Sequence, residues 1–247
     1  MAQVFPPAAN VLARLSIGGG VALVAATFVL GSGITRTSYN TKVNVPLNQP
    51  IPFSHEHHAT ELGIDCRYCH TTVETSATAG VPPTQTCMSC HSQIWTNSPL
   101  LEPIRESYRT GKPIEWNKVN AVPDFVYFNH SVHVNAGLNC NLCHGPVQTM
   151  QLTYKAKTFF MTWCLACHRD PAQHVGARSK VFSVYQDYQR GMVDSHGNPV
   201  PDEEKSLLLG DGYTRGPNAL ATANHWMAVY HIDTTQKQLT DCWTCHR

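Results

Sequence analysis

Residues 66–91 read Cys66-Arg-Tyr-Cys69-His70-Thr-Thr-Val-Glu-Thr-Ser-Ala-Thr-Ala-Gly-Val-Pro-Pro-Thr-Gln-Thr-Cys87-Met-Ser-Cys90-His91. Two cysteines separated by two residues are followed at once by histidine, twice within one short stretch. The same pattern returns at Cys140-Asn-Leu-Cys143-His144, Cys164-Leu-Ala-Cys167-His168 and Cys242-Trp-Thr-Cys245-His246, and these five motifs use all 10 cysteines of the 247-residue chain. Cys-x-x-Cys-His is the attachment signature of c-type haem. The two thiols add across the two vinyl groups of one porphyrin, and the next residue is placed to set an imidazole on the iron from the proximal side. The expectation is five covalently bound c-type haems. Their anchors are Cys66, Cys69, Cys87, Cys90, Cys140, Cys143, Cys164, Cys167, Cys242 and Cys245, and their proximal ligands are His70, His91, His144, His168 and His246.

Other uses of cysteine fit less well. Structural zinc takes such pairs in twos, and five is odd. Thioredoxin-like redox chemistry uses one pair beside a βαβ pattern. Disulfides do not require a histidine after every second cysteine. A net charge of +1 carries no basic stripe of the kind a nucleic-acid binder shows.

Five of the 14 histidines are proximal, and the spacing of the others repeats. Phe53-Ser-His55-Glu-His57-His58 precedes the first motif, and Phe128-Asn-His130-Ser-Val-His133 precedes the third. Both have the form Phe-x-His-x-x-His, then a glycine (Gly63, Gly137), then Cys-x-x-Cys-His, and a second motif follows each. This is the signature of a duplicated two-haem unit. His231, 11 residues before Cys242, marks a partial third unit. Histidines three apart share a helical face and can address two irons. His55, His130 and His231 are therefore expected as distal ligands of the haem just downstream. His58 and His133 are expected to reach across to the second haem of a unit, or of the other unit. His225 competes with His231 for the last iron. Met161 leads Met150 and Met227 as a thioether alternative, which would raise that iron's potential. His57, His174 and His196 read as non-ligands.

Leu15–Thr35 carries no charge and is long enough to cross a hydrocarbon core as a helix. The fourteen-residue lead with Arg14 as its single charge is a poor signal-peptide n-region, so a retained signal-anchor is expected. The domain reading is 1–14 as a cytoplasmic N-terminus, 15–35 as the membrane helix, and 37–173 as the duplicated units with haems one to four. A haem-free insertion spans 174–222, and 223–247 is the fifth haem segment. Haem attachment outside the cytoplasmic membrane places the haem-bearing part on the periplasmic face of a bacterial membrane. Ser98–Gly111 reads as one short helix with a proline near its start and a terminal glycine. Val181, Val184, Tyr185 and Tyr188 mark another helical face. No alternating strand pattern of useful length is present. The expected fold class is a multihaem cytochrome c, with short α-helices and irregular loops wrapped round five haems.

The N-terminal anchor, the five motifs, the Phe-x-His-x-x-His pairs and the Met161-Thr-Trp-Cys-Leu-Ala-Cys-His-Arg169 segment resemble the pentahaem cytochrome subunit of the bacterial alternative complex III. The resemblance covers nearly the whole chain. It implies a subunit that is no enzyme on its own, in a complex that oxidises quinol. The implied partners are an iron–sulfur subunit, a quinol-binding integral membrane subunit, and a monohaem cytochrome or similar periplasmic carrier. It also implies one His–Met iron, where the spacing argument has five bis-His irons. Two other readings stand beside it. One is an anchor quinol dehydrogenase cytochrome feeding a periplasmic reductase. The other is a multihaem catalytic reductase, which needs an open iron and is disfavoured by the abundance of histidine.

Overall fold

The computed structural model describes residues 4–182, 219–235 and 238–246. The chain divides into two units, Met1–Val43 and Asn44–Arg247. Most of the 174–222 segment, with His196 and the expected Val184, Tyr185 and Tyr188 face, lies outside the described residues.

The first unit is α1 (Ala8–Thr35) and α2 (Ser38–Thr41). At 28 residues α1 is about 42 Å long. It begins ahead of the uncharged stretch and takes in Arg14, because nothing between Ala8 and Leu15 breaks a helix. None of its residues is buried, and it is long and apolar enough to cross a membrane.

The second unit is short helices joined by loops, as the class expectation held. Its helices are a π-helix (Glu56–Glu61), α3 (Cys66–Cys69), α4 (Thr84–His91), α5 (Glu102–Thr110), α6 (His130–Asn135), α7 (Cys140–His144), α8 (Met161–Arg169), α9 (Ala219–Val229) and α10 (Cys242–Cys245). Among the described residues the only β pairing is an isolated bridge between Pro46 and Tyr154. The expected Ser98–Gly111 helix is a 3₁₀ turn (Pro99–Leu101) running into α5, closed by Gly111 at φ 71. Ser98 makes no side-chain cap.

Among the described residues two small clusters make the polypeptide's own core. Ile51, Leu101 and Ile104 pack with Met88, Ile114 and Trp116. Val73, Val134 and Val181 pack with Ala79, Cys140 and Phe182. Tyr68, Phe125, Val132 and Trp243 remain exposed. Among the described residues, so little buried apolar surface does not by itself offset the entropy of ordering the chain.

The two Phe-x-His-x-x-His segments fold alike. After each, a glycine in the left-handed region, Gly63 (φ 71) or Gly137 (φ 77), turns the chain. The next N–H then donates back to the second histidine's carbonyl, Ile64 to His58 at 3.0 Å and Leu138 to His133 at 3.2 Å. The first segment has one more residue than the second between histidine and glycine. It absorbs that residue by winding as a π-helix, which holds an extra residue per turn.

Candidate haem-binding sites

A single helical turn carries each Cys-x-x-Cys pair, so both sulfurs lie on one side, three residues apart. The motif helices are of two kinds. In the first, third and fifth motifs the helix starts at the first cysteine, after Asp65, Asn139 or Asp241. Asp65 and Asn139 cap their helices by accepting from the N–H of Arg67 and of Asn141, each at 2.8 Å. In the second and fourth motifs the helix starts three residues earlier, at Thr84 and Met161. This alternation repeats the two-motif unit. The sequence signal for the first kind, an Asp or Asn directly before cysteine, is visible in hindsight.

The histidines meet in facing pairs. His58 and His91 have ring centroids 6.2 Å apart, His130 and His144 6.3 Å, and His133 and His168 6.0 Å. His55 is partly buried, and His70, His58 and His144 lie close enough to interact with it electrostatically. Phe53 stacks on His58 at 4.5 Å and meets His55 edge-on at 5.0 Å. Phe128 repeats this, stacking on His133 at 4.5 Å and meeting His130 edge-on at 4.8 Å. The phenylalanine of the repeat therefore clamps two imidazoles, a role its spacing did not reveal.

Among the described residues, eight histidines besides the Glu61-bound His57 commit Nδ1 to the protein. Among the motif histidines, His70 bonds the carbonyl of Gly80 (2.7 Å), His91 that of Ile94 (3.3 Å), His168 that of Leu239 (2.6 Å) and His246 that of Phe125 (2.9 Å). Among the others, His58 bonds the Ser54 carbonyl (2.8 Å), His133 that of Asn129 (2.7 Å), His130 that of Ala77 (2.9 Å), and His55 the Thr153 hydroxyl (3.0 Å). Nδ1–H on a carbonyl fixes the tautomer and leaves the Nε2 lone pair for a metal.

Two imidazoles bound to one metal at about 2.0 Å per bond hold their centroids about 6 Å apart. The three facing pairs have that separation. Among the described residues no group of three or more His, Cys, Asp or Glu side chains forms a cage of its own. An iron held between such a pair in a haem would take its other ligands from the porphyrin. Burial pushes His55 and His144 down to about 4, so both are neutral at pH 7, the form that binds metal. None of the ten thiols is in a disulfide. The residues fit haem.

The fifth motif is less enclosed. Against His246 lies the Phe125 ring, centroids 5.8 Å apart, and no imidazole pairs with it among the described residues. His231 is exposed, with φ 54. His225 is exposed and packs edge-on against Trp226. Met161 is exposed at the start of α8. Met150 is buried beside Gly145, and Met227 is half-buried on α9. His57 pairs with Glu61 at 2.6 Å and stacks on Trp95.

Comparison with known proteins agrees with this chemistry. The family described as cytochrome c7 and related cytochrome c matches residues 126–190, which hold the third and fourth motifs. The menaquinone reductase multihaem cytochrome c subunit of Nitratidesulfovibrio vulgaris is 33% identical over 149 residues, 52% of this chain and 70% of that protein. The chain belongs to the multihaem cytochrome c family, a family whose members bind haem covalently through Cys-x-x-Cys-His motifs.

Proposed function

We propose that the chain is a membrane-anchored cytochrome with five haems that relays electrons within a quinol-linked membrane complex. The observation that carries this is the set of three facing imidazole pairs, whose spacing suits closed, six-coordinate iron. Haem iron cycles between ferrous and ferric states and so supplies one-electron transfer. The protein's own part is to hold each iron in one coordination and to fix its ligand rings, most of them through Nδ1, so that little rearranges on a change of charge.

His58 and His91 hold one iron, His130 and His144 a second, and His133 and His168 a third. His55 and His70 hold a fourth. His246 holds the fifth, with His231, His225 or Met161 as the sixth ligand. The anchor is α1, and the second unit stands on the periplasmic side, where c-type haem is attached. The complex is of the alternative complex III kind, with an iron–sulfur subunit, a quinol-binding membrane subunit and a periplasmic carrier as partners. A second reading, favoured by the name of the Nitratidesulfovibrio relative, is a complex that passes electrons to menaquinone.

The test is His133→Ala in the haem-loaded protein. Mass spectrometry is expected to count five attached haems, while one iron turns high-spin in the electron paramagnetic resonance (EPR) spectrum. An unchanged spectrum overturns the ligand assignment. Fewer than five attached haems in the parent chain overturns the five-haem reading.

A further inference from the structure

The two haem-bearing units are not side by side as independent blocks. Each holds the distal-histidine segment of the other. The π-helix of the first two-motif repeat rests on the loop after the third motif. There Glu56 N–H donates to the Met150 carbonyl at 3.2 Å, the Thr60 hydroxyl to the Gln148 carbonyl at 2.6 Å, and His55 Nδ1 meets Thr153 Oγ1 at 3.0 Å. In return α6 of the second repeat rests on the loop after the first motif. His130 N–H donates to the Ala77 carbonyl at 3.1 Å, Ser131 N–H to that of Ser76 at 3.1 Å, and Asn135 Nδ2 to that of Glu74 at 2.9 Å. This reciprocal exchange brings the first and third motifs together at the centre. The Cys66 and Cys140 side chains are close neighbours there.

The other neighbours follow from local links. The first and second motifs are tied by the Tyr68 hydroxyl and Ser89 Oγ, 2.9 Å apart, both residues lying inside their motifs. His55 and His58, three residues apart and clamped by Phe53, address those two motifs. The third and fourth motifs share α6, whose His130 faces His144 and whose His133 faces His168. The fourth and fifth are joined where His168 Nδ1 bonds the Leu239 carbonyl, in the turn leading into the fifth motif, and where Cys245 neighbours Cys164.

We propose that the five attachment motifs stand in space in the order second, first, third, fourth, fifth, with the reciprocal exchange at the first–third junction. The ends of the array are then Cys87–His91 and Cys242–His246. The motif nearest the N-terminus is internal, and sequence position does not measure distance along the array. This rests on the five-haem reading.

Iron positions from anomalous diffraction of the haem-loaded chain test it. The iron at His70 is expected to have those at His91 and His144 as its two nearest neighbours, and the iron at His91 to have only that at His70. An iron at His91 lying next to that at His144 or His168 overturns the order. Fewer than five irons would overturn the five-haem reading instead. Redox titration followed by EPR gives a second route. The pair Cys87→Ala and Cys90→Ala is expected to shift the potential of one remaining site. The pair Cys66→Ala and Cys69→Ala is expected to shift two. The reverse result overturns the proposal, and if either variant fails to fold the diffraction result stands alone.

Discussion

The imidazole planes of His130 and His144 are 3° from parallel, whereas those of His58 and His91 are turned by 63°. Both pairs have the spacing of a shared metal, so the difference is orientation alone. His130, His58 and His91 are each held by an Nδ1 partner, and His58 also by the Phe53 face. Ring orientation sets the splitting of the iron d orbitals that overlap the imidazole π system. Near-parallel rings are expected to give a rhombic low-spin EPR signal. Strongly turned rings are expected to give an extremely anisotropic one. His130→Ala should remove a rhombic signal, and His58→Ala an anisotropic one, with five haems still attached. Loss of the same signal type in both variants would contradict the assignment.

Phe128 packs against the rings of both His130 and His133. Phe128→Leu keeps an apolar side chain but removes the aromatic contacts, worth about 1 kcal/mol. The expected outcome is a small fall in thermal midpoint, with the EPR signals of the third and fourth sites both altered. A purely structural residue would lower the midpoint and leave both signals in place. Phe53→Leu should do the same for the first and second sites.

Gly137 combines φ 77 with a backbone neighbour, since a Cβ there would meet the Gly176 carbonyl oxygen at 1.9 Å. Gly111 has φ 71 but nothing within 4 Å. Gly111→Ala is expected to cost about 1 kcal/mol through the left-handed backbone alone. Gly137→Ala must also push the 176 backbone away, and more than about 2 kcal/mol is expected. Urea unfolding of the two variants, compared with the parent, checks the difference.

Protons compete with iron for the imidazole nitrogen. Free histidine takes up its proton near pH 6.5, but burial pushes His55 and His144 down to about 4. A depressed value means the folded state resists protonation, so stability is full at neutral pH and declines only as pH falls below the ordinary histidine range. The low-spin spectrum of these sites is therefore expected to persist from pH 8 to pH 5. A conversion to high spin centred near pH 6.5 would show that these rings are open to solvent.

Part of this arrangement was legible in the chain. The family and the helix-and-loop class follow from the Cys-x-x-Cys-His motifs, and Gly63 and Gly137 flagged two equivalent turns. The π-helix was not legible, because one extra residue before Gly63 can be absorbed in a loop as readily as in a wider turn. Nor was the clamp formed by Phe53 and Phe128, since spacing places an aromatic near histidines without fixing which ring it stacks on. The uncharged stretch marked a helix, but its start at Ala8 depends on helix propensity continuing past Arg14.

By itself, then, the sequence determined the covalent chemistry and the unit of repetition, because both are properties of one or two helical turns. The three-residue spacing of His55 and His58, or of His130 and His133, needs no knowledge of the rest of the chain. Only the tertiary structure decided which motif stands beside which. That depends on hydrogen bonds such as Thr60 to Gln148 and His55 to Thr153, formed across 88 and 98 residues. No local pattern encodes contacts of that separation; they form when two loops and two short helices exchange places and pack.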